Sequence, residues 1–270
     1  MLVIANNIST RRARVNQLLR QSQNLHWDHR QAPALRLKEL VQQCVVAGAD
    51  VLEINTQQHF DEPEAMEFAI TELQEVARNQ LCLSTNNPEC VAVGLKACKI
   101  PPIVNYVSFD LERLQKVLPL IARHRAEVVL LVTAPGETAD AETMLKKSAI
   151  LVGAANEAGI ANSRIYVDPG IVHVTRESGQ HHFREVLDFL QALPATFEPE
   201  VRSTCWLSNV STGAPAPLRH VLETTSLAML AAVGLSSAFM DVLRRENRRM
   251  ARLIKIFRDE TIYSDSDVEL

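Results

Sequence analysis

The chain has 270 residues, with 28 lysines and arginines against 32 aspartates and glutamates, a formal net charge of −4. At 47% hydrophobic and 22% charged residues it holds enough apolar material for a large core, which excludes wholesale disorder. The near-balanced charge carries no overall electrostatic footprint of a nucleic-acid binder or of a protein held on an anionic membrane. The five cysteines, Cys44, Cys82, Cys90, Cys98 and Cys205, include no C-x-x-C pair, so neither a zinc site nor a disulfide framework is expected. The first apolar stretch, residues 2–5, is too short for a signal-peptide core or a membrane span, and a reducing cytoplasm is the expected location.

Short apolar runs recur at residues 2–5, 51–54, 81–83, 103–104, 128–132, 165–167, 205–207 and 238–242. Each is bounded by polar, Gly or Pro residues and reads as a buried parallel strand. Helical periodicity fills the intervals. In residues 35–46, Leu37, Leu40, Val41, Cys44 and Val45 trace one face and Gly48 follows as a stop. Residues 64–78, 88–97, 111–123, 141–158, 182–190 and 218–232 behave alike. Eight strand–helix units at roughly 34 residues each predict an α/β chain folded as an eight-stranded (β/α)8 TIM barrel. An open doubly wound sheet is the competitor, but Asn6-Asn7-Ile8-Ser9-Thr10 lacks the glycine expected after its first strand. No linker-like tract divides the chain, so residues 1–270 are expected to form one domain. Residues 6–33 receive no firm element, and the acidic tail 265–270 is expected to fray.

In such barrels chemistry sits at the C-terminal ends of the strands. Reading those ends gives Asn55 after strand two, Ser84, Thr85 and Asn86 after strand three, and Asn105 after strand four. Asp168 follows strand six and Ser208-Asn209-Val210-Ser211 strand seven. This is a ring of carboxamides and hydroxyls around one carboxylate, with no basic residue expected to converge on it. It suits a flat, neutral heterocycle with a donor–acceptor edge better than a phosphorylated substrate. The same residues also build turns and helix caps in any barrel.

The sequence resembles the pterin-binding barrel family that includes dihydropteroate synthase, and more closely its methyltetrahydrofolate:corrinoid methyltransferases. The resemblance rests on Leu52-Glu53-Ile54-Asn55, Leu81-Cys82-Leu83-Ser84-Thr85-Asn86, Val104-Asn105, Tyr166-Val167-Asp168-Pro169 and Leu207-Ser208-Asn209-Val210-Ser211. Gly234-Leu235-Ser236-Ser237-Ala238 and Thr261-Ile262-Tyr263 extend it along nearly the whole chain. It implies that Asn105 and Asp168 hydrogen-bond the pterin ring, with Asp168 on the 2-amino and N3 edge. Asn55, Ser84 and Ser208 would help line the pocket. Asn209 would be the catalytic carboxamide beside N5, stabilising the charge left there as the methyl departs. It further implies transfer of the N5-methyl of methyltetrahydrofolate, or a related methyltetrahydropterin, to the cobalt of a separate corrinoid protein. The cobalamin would be carried by that partner, with no metal bound to this chain and with a homodimer as the assembly. The chain departs from the family in having Ser84 where an Asp is usual, Asn6-Asn7-Ile8-Ser9 where Glu-Arg-x-Asn is common, and an apolar loop 212–217 after Asn209.

Two alternatives accompany this reading. A dihydropteroate synthase-like condensing enzyme would bind a pterin diphosphate, and the lack of a convergent basic pair counts against it. A non-catalytic pterin-binding protein is suggested by Ser84 and the altered first loop. No Asp-x-His-x-x-Gly cobalamin signature occurs; Asp28-His29-Arg30 lacks the spacing. Adjacent His181 and His182 are expected at the surface rather than on a metal, as are His26 and His29. Arg244, Arg245, Arg248 and Arg249 read as a solvated helical face, and residues 227–233 as helix packing that the resemblance extends to a subunit interface.

Overall fold

The computed structural model describes residues 1–24, 31–57 and 61–265. Its strands are β1 (Leu2–Ser9), β2 (Val51–Asn55), β3 (Gln80–Ser84), β4 (Ile103–Val107), β5 (Glu127–Leu131), β6 (Ile165–Asp168), β7 (Arg202–Ser203) and β8 (Ser237–Met240). All neighbouring pairs are parallel, in the order β7-β6-β5-β4-β3-β2-β1-β8. The helices that cover them are α1 (Ala13–Asn24), α2 (Gln31–Val46), α3 (Pro63–Val76), α4 (Pro88–Ala97) and α5 (Leu111–Arg123). The second half contributes α6 (Ala141–Glu157), α7 (Gly179–Thr196), α8 (Ala216–Ala232) and α9 (Arg245–Phe257). This is the expected (β/α)8 TIM barrel, nearly closed.

Closure falls between β7 and β8 and is made by a short set of bonds. Phe239 donates its N–H to the Cys205 carbonyl at 2.8 Å, and Trp206 makes an isolated parallel bridge to Phe239. Ser203 and Ser236 exchange backbone N–H to hydroxyl bonds at 3.0 and 3.1 Å. The seventh strand therefore lies at Arg202–Ser203, not at residues 205–207. The apolar run 205–207 instead leads from the bridge at Trp206 into a 3-10 turn, Leu207–Asn209. Its apolar side chains signal burial, and its only pairing among the described residues is the isolated contact with Phe239. The unassigned stretch after β1 yields α1, where Val15, Leu18 and Leu19 are buried at helical spacing. His26, His29 and the tail beyond Asp265 lie outside the described residues.

Strand alternation sorts the side chains into layers. Leu52 and Ile54 of β2 join the large core between sheet and helices, whereas Ile4, Val51, Cys82, Ile103, Val129, Tyr166 and Phe239 form a separate cluster inside the barrel. Beneath it, Arg202 lies over the Tyr166 ring at 3.9 Å, donates to its hydroxyl at 2.6 Å and pairs with Glu127 at 3.0 Å. One step of two residues toward the strand C-termini, the same inward positions are polar: Glu53, Ser84, Asn105 and Asp168, with Leu131 among them. Apolar packing thus seals the lower barrel under a polar upper layer. No described helix is long and apolar enough to cross a membrane.

The outer helices sit close to the sheet. A Cβ at Gly94 of α4 would stand 2.7 Å from Leu83 Cδ1 and 3.4 Å from Ile70 Cδ1. Gly94→Val is expected to lower stability by about 1–3 kcal/mol in urea unfolding, because overpacking there must push α4 off the barrel. Gly94→Ala should cost less, since Leu83 Cδ1 is a movable side-chain tip. An unchanged midpoint for the valine variant would contradict this packing.

Candidate active site

The C-terminal ends of the strands open onto a cleft of about 400 Å³. Asn105, Asp168 and Asn209, named from sequence, all line it. Asp168 ends β6 and is 4% exposed. Its Oδ1 accepts the Gly170 N–H at 2.8 Å, a bond that needs the left-handed turn at Gly170, φ +79°. A Cβ at Gly170 would stand 2.1 Å from Thr133 Oγ1, so only glycine fits. Burial without a cation pushes the Asp168 carboxyl up to about 7, against the pull of the Gly170 N–H. No other protein donor reaches this carboxyl among the described bonds.

Asn55 and Ser84 stand behind Asn105 rather than on the cleft wall. Asn105 donates from Nδ2 to Ser84 Oγ at 2.8 Å, and Ser84 donates to Glu53 Oε1. Asn55 donates to the same oxygen at 3.0 Å. The chain of bonds spends the Asn105 amide on the protein and leaves its buried Oδ1 without a partner; Glu53 Oε2 is also unpartnered. Buried acceptors without a partner call for an outside donor. Burial raises the Glu53 carboxyl to about 7, with the bonds from Ser84 and Asn55 and the charges of Arg11 and Arg12 acting downward. Glu53 went unselected in the sequence, yet the alternation Val51, Glu53, Asn55 against Leu52, Ile54 puts it on the inward face.

Asn209 ends the 3-10 turn after β7 and is half-buried. Its carbonyl accepts the Nδ1–H of His173 at 2.8 Å, which fixes that tautomer because a carbonyl only accepts. Val174 N–H to the Val210 carbonyl at 3.2 Å and Thr175 Oγ1 to the Thr212 carbonyl at 3.1 Å knit the β6 and β7 loops together. Ser208 faces an adjoining hollow of about 340 Å³, which shares Arg11 and Trp206 with the cleft. On the other side, Asp61 accepts from Thr56 Oγ1 at 2.7 Å and from the Asn86 and Asn87 N–H groups at 2.9 and 3.0 Å, pinning the β2 and β3 loops to each other.

Two expectations are corrected here. Basic residues do converge on the strand ends: Arg11, His173 and Arg176 all line the cleft. They sit on loops, where no periodicity in the sequence reveals their direction. His182 is buried, not exposed, and donates from Nε2 to the Gly170 carbonyl at 2.8 Å, bracing the turn beside Asp168. His181 is exposed, 3.7 Å from Glu185.

The barrel thus carries a buried carboxylate and carboxamides at its C-terminal mouth. The chain belongs to the pterin-binding enzyme family, whose model, "Pterin binding enzyme", matches residues 31–241. A "Methylcorrinoid:tetrahydrofolate methyltransferase" of Eubacterium limosum is 26% identical to it over 188 residues, 68% of each chain. Among solved structures, a dihydropteroate synthetase crystallised with a product superposes with a TM-score of 0.68 at 16% identity, covering 96% of this chain and 94% of the other. A Yersinia pestis synthase carrying a pterin–sulfa conjugate gives 0.65 at 16% identity, over 83% and 90%. The Stenotrophomonas maltophilia synthase gives 0.65 at 15% identity, over 97% and 94%. At these identities the likeness is one of fold.

The raised Asp168 carboxyl makes stability depend on pH in a defined direction. Between pH 4 and 7 the folded chain keeps a proton that the unfolded chain has lost, so this group withdraws stability as pH rises and withdraws it fully above about 7. Asp168→Asn is therefore expected to be more stable than wild type at pH 8, by on the order of 1–4 kcal/mol, with the gap narrowing toward pH 4.5. Urea unfolding at several pH values reads this; a gap independent of pH would contradict a protonated Asp168.

Proposed function

We propose that the protein moves a methyl group between N5 of methyltetrahydrofolate, or a related methyltetrahydropterin, and the cobalt of a corrinoid held by a separate protein. The observation that carries the reading is the convergence of Asn105 Oδ1, the Asp168 carboxyl and Asn209 on one cleft. The Eubacterium limosum relative supports the reaction class. The unpartnered Asn105 carbonyl and Asp168 supply acceptors for a pterin's ring N–H and 2-amino groups, and a bound donor edge would draw Asp168 into its charged form. Asn209, held by His173 through its backbone, keeps its side-chain amide available to a ring nitrogen.

In the demethylating direction the methyl carbon passes from N5 to cobalt(I). The C–N electron pair stays on nitrogen, a cobalt electron pair makes the new Co–C bond, and N5 takes a proton that comes from solvent. Asn209 stabilises the charge developing on N5 by hydrogen bonding, and has no proton of its own to give up. The corrinoid protein meets this chain over the strand C-termini, where the cleft opens, and this chain binds no metal of its own for the step.

A second reading, condensation of a pterin diphosphate as in dihydropteroate synthase, gains from Arg11 and Arg176 at the mouth, which remove the objection that no cations converge there. Calorimetry with methyltetrahydrofolate and an assay with cobalt(I) cobalamin separate the two. Asp168→Ala should abolish detectable binding, while Asn209→Ala should bind within a few-fold of wild type and lose about 10²–10³ in rate. Wild-type-like turnover by Asn209→Ala, or condensing activity with a pterin diphosphate in place of methyl transfer, would overturn the proposal.

A further inference from the structure

One titratable side chain on the cleft wall has no part in reading the ring edge: His173, half-buried on the loop after β6. Three bonds fix it. Its Nδ1–H goes to the Asn209 carbonyl at 2.8 Å, and its own carbonyl accepts the Arg176 N–H at 3.1 Å. The next residue, Val174, donates its N–H to the Val210 carbonyl at 3.2 Å. The start of α7 presses on the same backbone, since a Cβ at Gly179 would stand 1.9 Å from the His173 carbonyl oxygen. With Nδ1 spent on Asn209, Nε2 is the ring nitrogen left to meet a ligand, and it has no protein partner among the described residues. It lies one ring width beyond the bond to the residue whose side-chain amide is assigned to N5. The other titratable or charged groups nearby have different work. Asp168 on the floor is assigned the donor edge, and His182 is spent on the Gly170 carbonyl. Arg11 and Arg176 carry guanidinium groups that do not release protons, and Tyr106 stands on β4, three strands around from β7.

We infer that His173 is a catalytic residue of the methyl transfer, the group through which the solvent proton reaches N5. This rests on the methyl-transfer role proposed above and deepens it. A tertiary amine leaves poorly as an anion, and Asn209 stabilises charge on N5 without having a proton to give. Imidazole is the side chain that exchanges protons near neutrality, and one held beside N5 supplies the missing donor. As the methyl carbon passes to cobalt(I), whose electron pair makes the new bond, the C–N pair stays on N5 and takes the Nε2 proton. The N–H pair stays on Nε2, leaving a neutral ring that still donates from Nδ1 to the Asn209 carbonyl. Solvent at the cleft opening returns the proton. In the methylating direction Nε2 accepts the proton of N5–H, and the freed nitrogen pair attacks the methyl carbon. The tie to Asn209 serves both directions, because the carbonyl accepts from Nδ1 in either charge state of the ring.

The test is single-turnover methyl transfer from saturating methyltetrahydrofolate to cobalt(I) cobalamin, followed against pH with the full chain. His173→Asn keeps an N–H where Nδ1 stands, and so the bond to Asn209, but has nothing at Nε2; His173→Ala has neither. Both should bind the folate within about threefold of wild type and lose about 10²-fold in rate at pH 7. The wild-type rate should level off at low pH, where the donor is fully protonated. In both variants it should keep climbing as pH falls, because only solvent acid is left. Added imidazole should raise the His173→Ala rate in proportion to the imidazolium present, a response that the loss of a mere support does not give. A His173→Asn rate within about threefold of wild type, or a pH profile that still levels off in it, would overturn the role and leave methyl transfer standing. Loss of folate binding in both variants would make His173 a support for the pocket and overturn the role as well. No methyl transfer by wild type would overturn the methyl-transfer reading itself, and the role of His173 with it.

Discussion

A carboxylate enclosed in a barrel with no cation against it is costly in its charged form, and the upper layer of this barrel encloses two. Glu53 is offset from within, by the Ser84 hydroxyl and the Asn55 amide on one oxygen. Among the described residues, Asp168 receives only the Gly170 N–H. Both carboxyls are held up to about 7. The protein thus tolerates Asp168 by keeping it protonated near neutrality, and a ligand that brings donors to it recovers interaction the empty fold forgoes. Stability and recognition are set against each other at this residue, as is common where a site must be preorganised for something other than protein.

That arrangement needs a floor that does not yield. The ring from Ile4 to Phe239 and the Arg202–Tyr166–Glu127 contact beneath it pack the lower barrel, so the polar layer stands on packed side chains. Above it the rim is built from loops, and the loops are tied to one another in pairs. Asp61 joins those after β2 and β3, and the His173–Asn209 bond with its two companions joins those after β6 and β7. Asn209 owes its place to that second tie, since its own strand is only two residues long.

Much of this was legible in the sequence. β2, β3, β5 and β6 fall within one residue of the apolar runs that announce them, and β4 starts on its run but extends three residues past it, because a parallel strand buried on both faces reads as continuous hydrophobicity. Asn105, Asp168 and Asn209 were reachable by reading strand ends. β7 was not, since Arg202 and Ser203 are polar and form no apolar run. Glu53 hid in plain view, as an acid within an apolar run whose alternation marked it as inward-facing. Arg11, His173 and Arg176 left no trace at all, because a loop has no period from which a side chain's direction can be inferred.

The claim that Asp168, held up to about 7 in the free protein, ionises to accept the ligand's donor edge is tested most directly by proton linkage. Calorimetry of methyltetrahydrofolate binding at pH 7, in buffers of differing ionisation enthalpy, counts the protons exchanged. A carboxyl near 7 that ionises on binding should release about half a proton at that pH, and Asp168→Asn should release measurably less. Release unchanged by Asp168→Asn, or none from wild type, would contradict the account, for the floor of the cleft would then not be where recognition takes place.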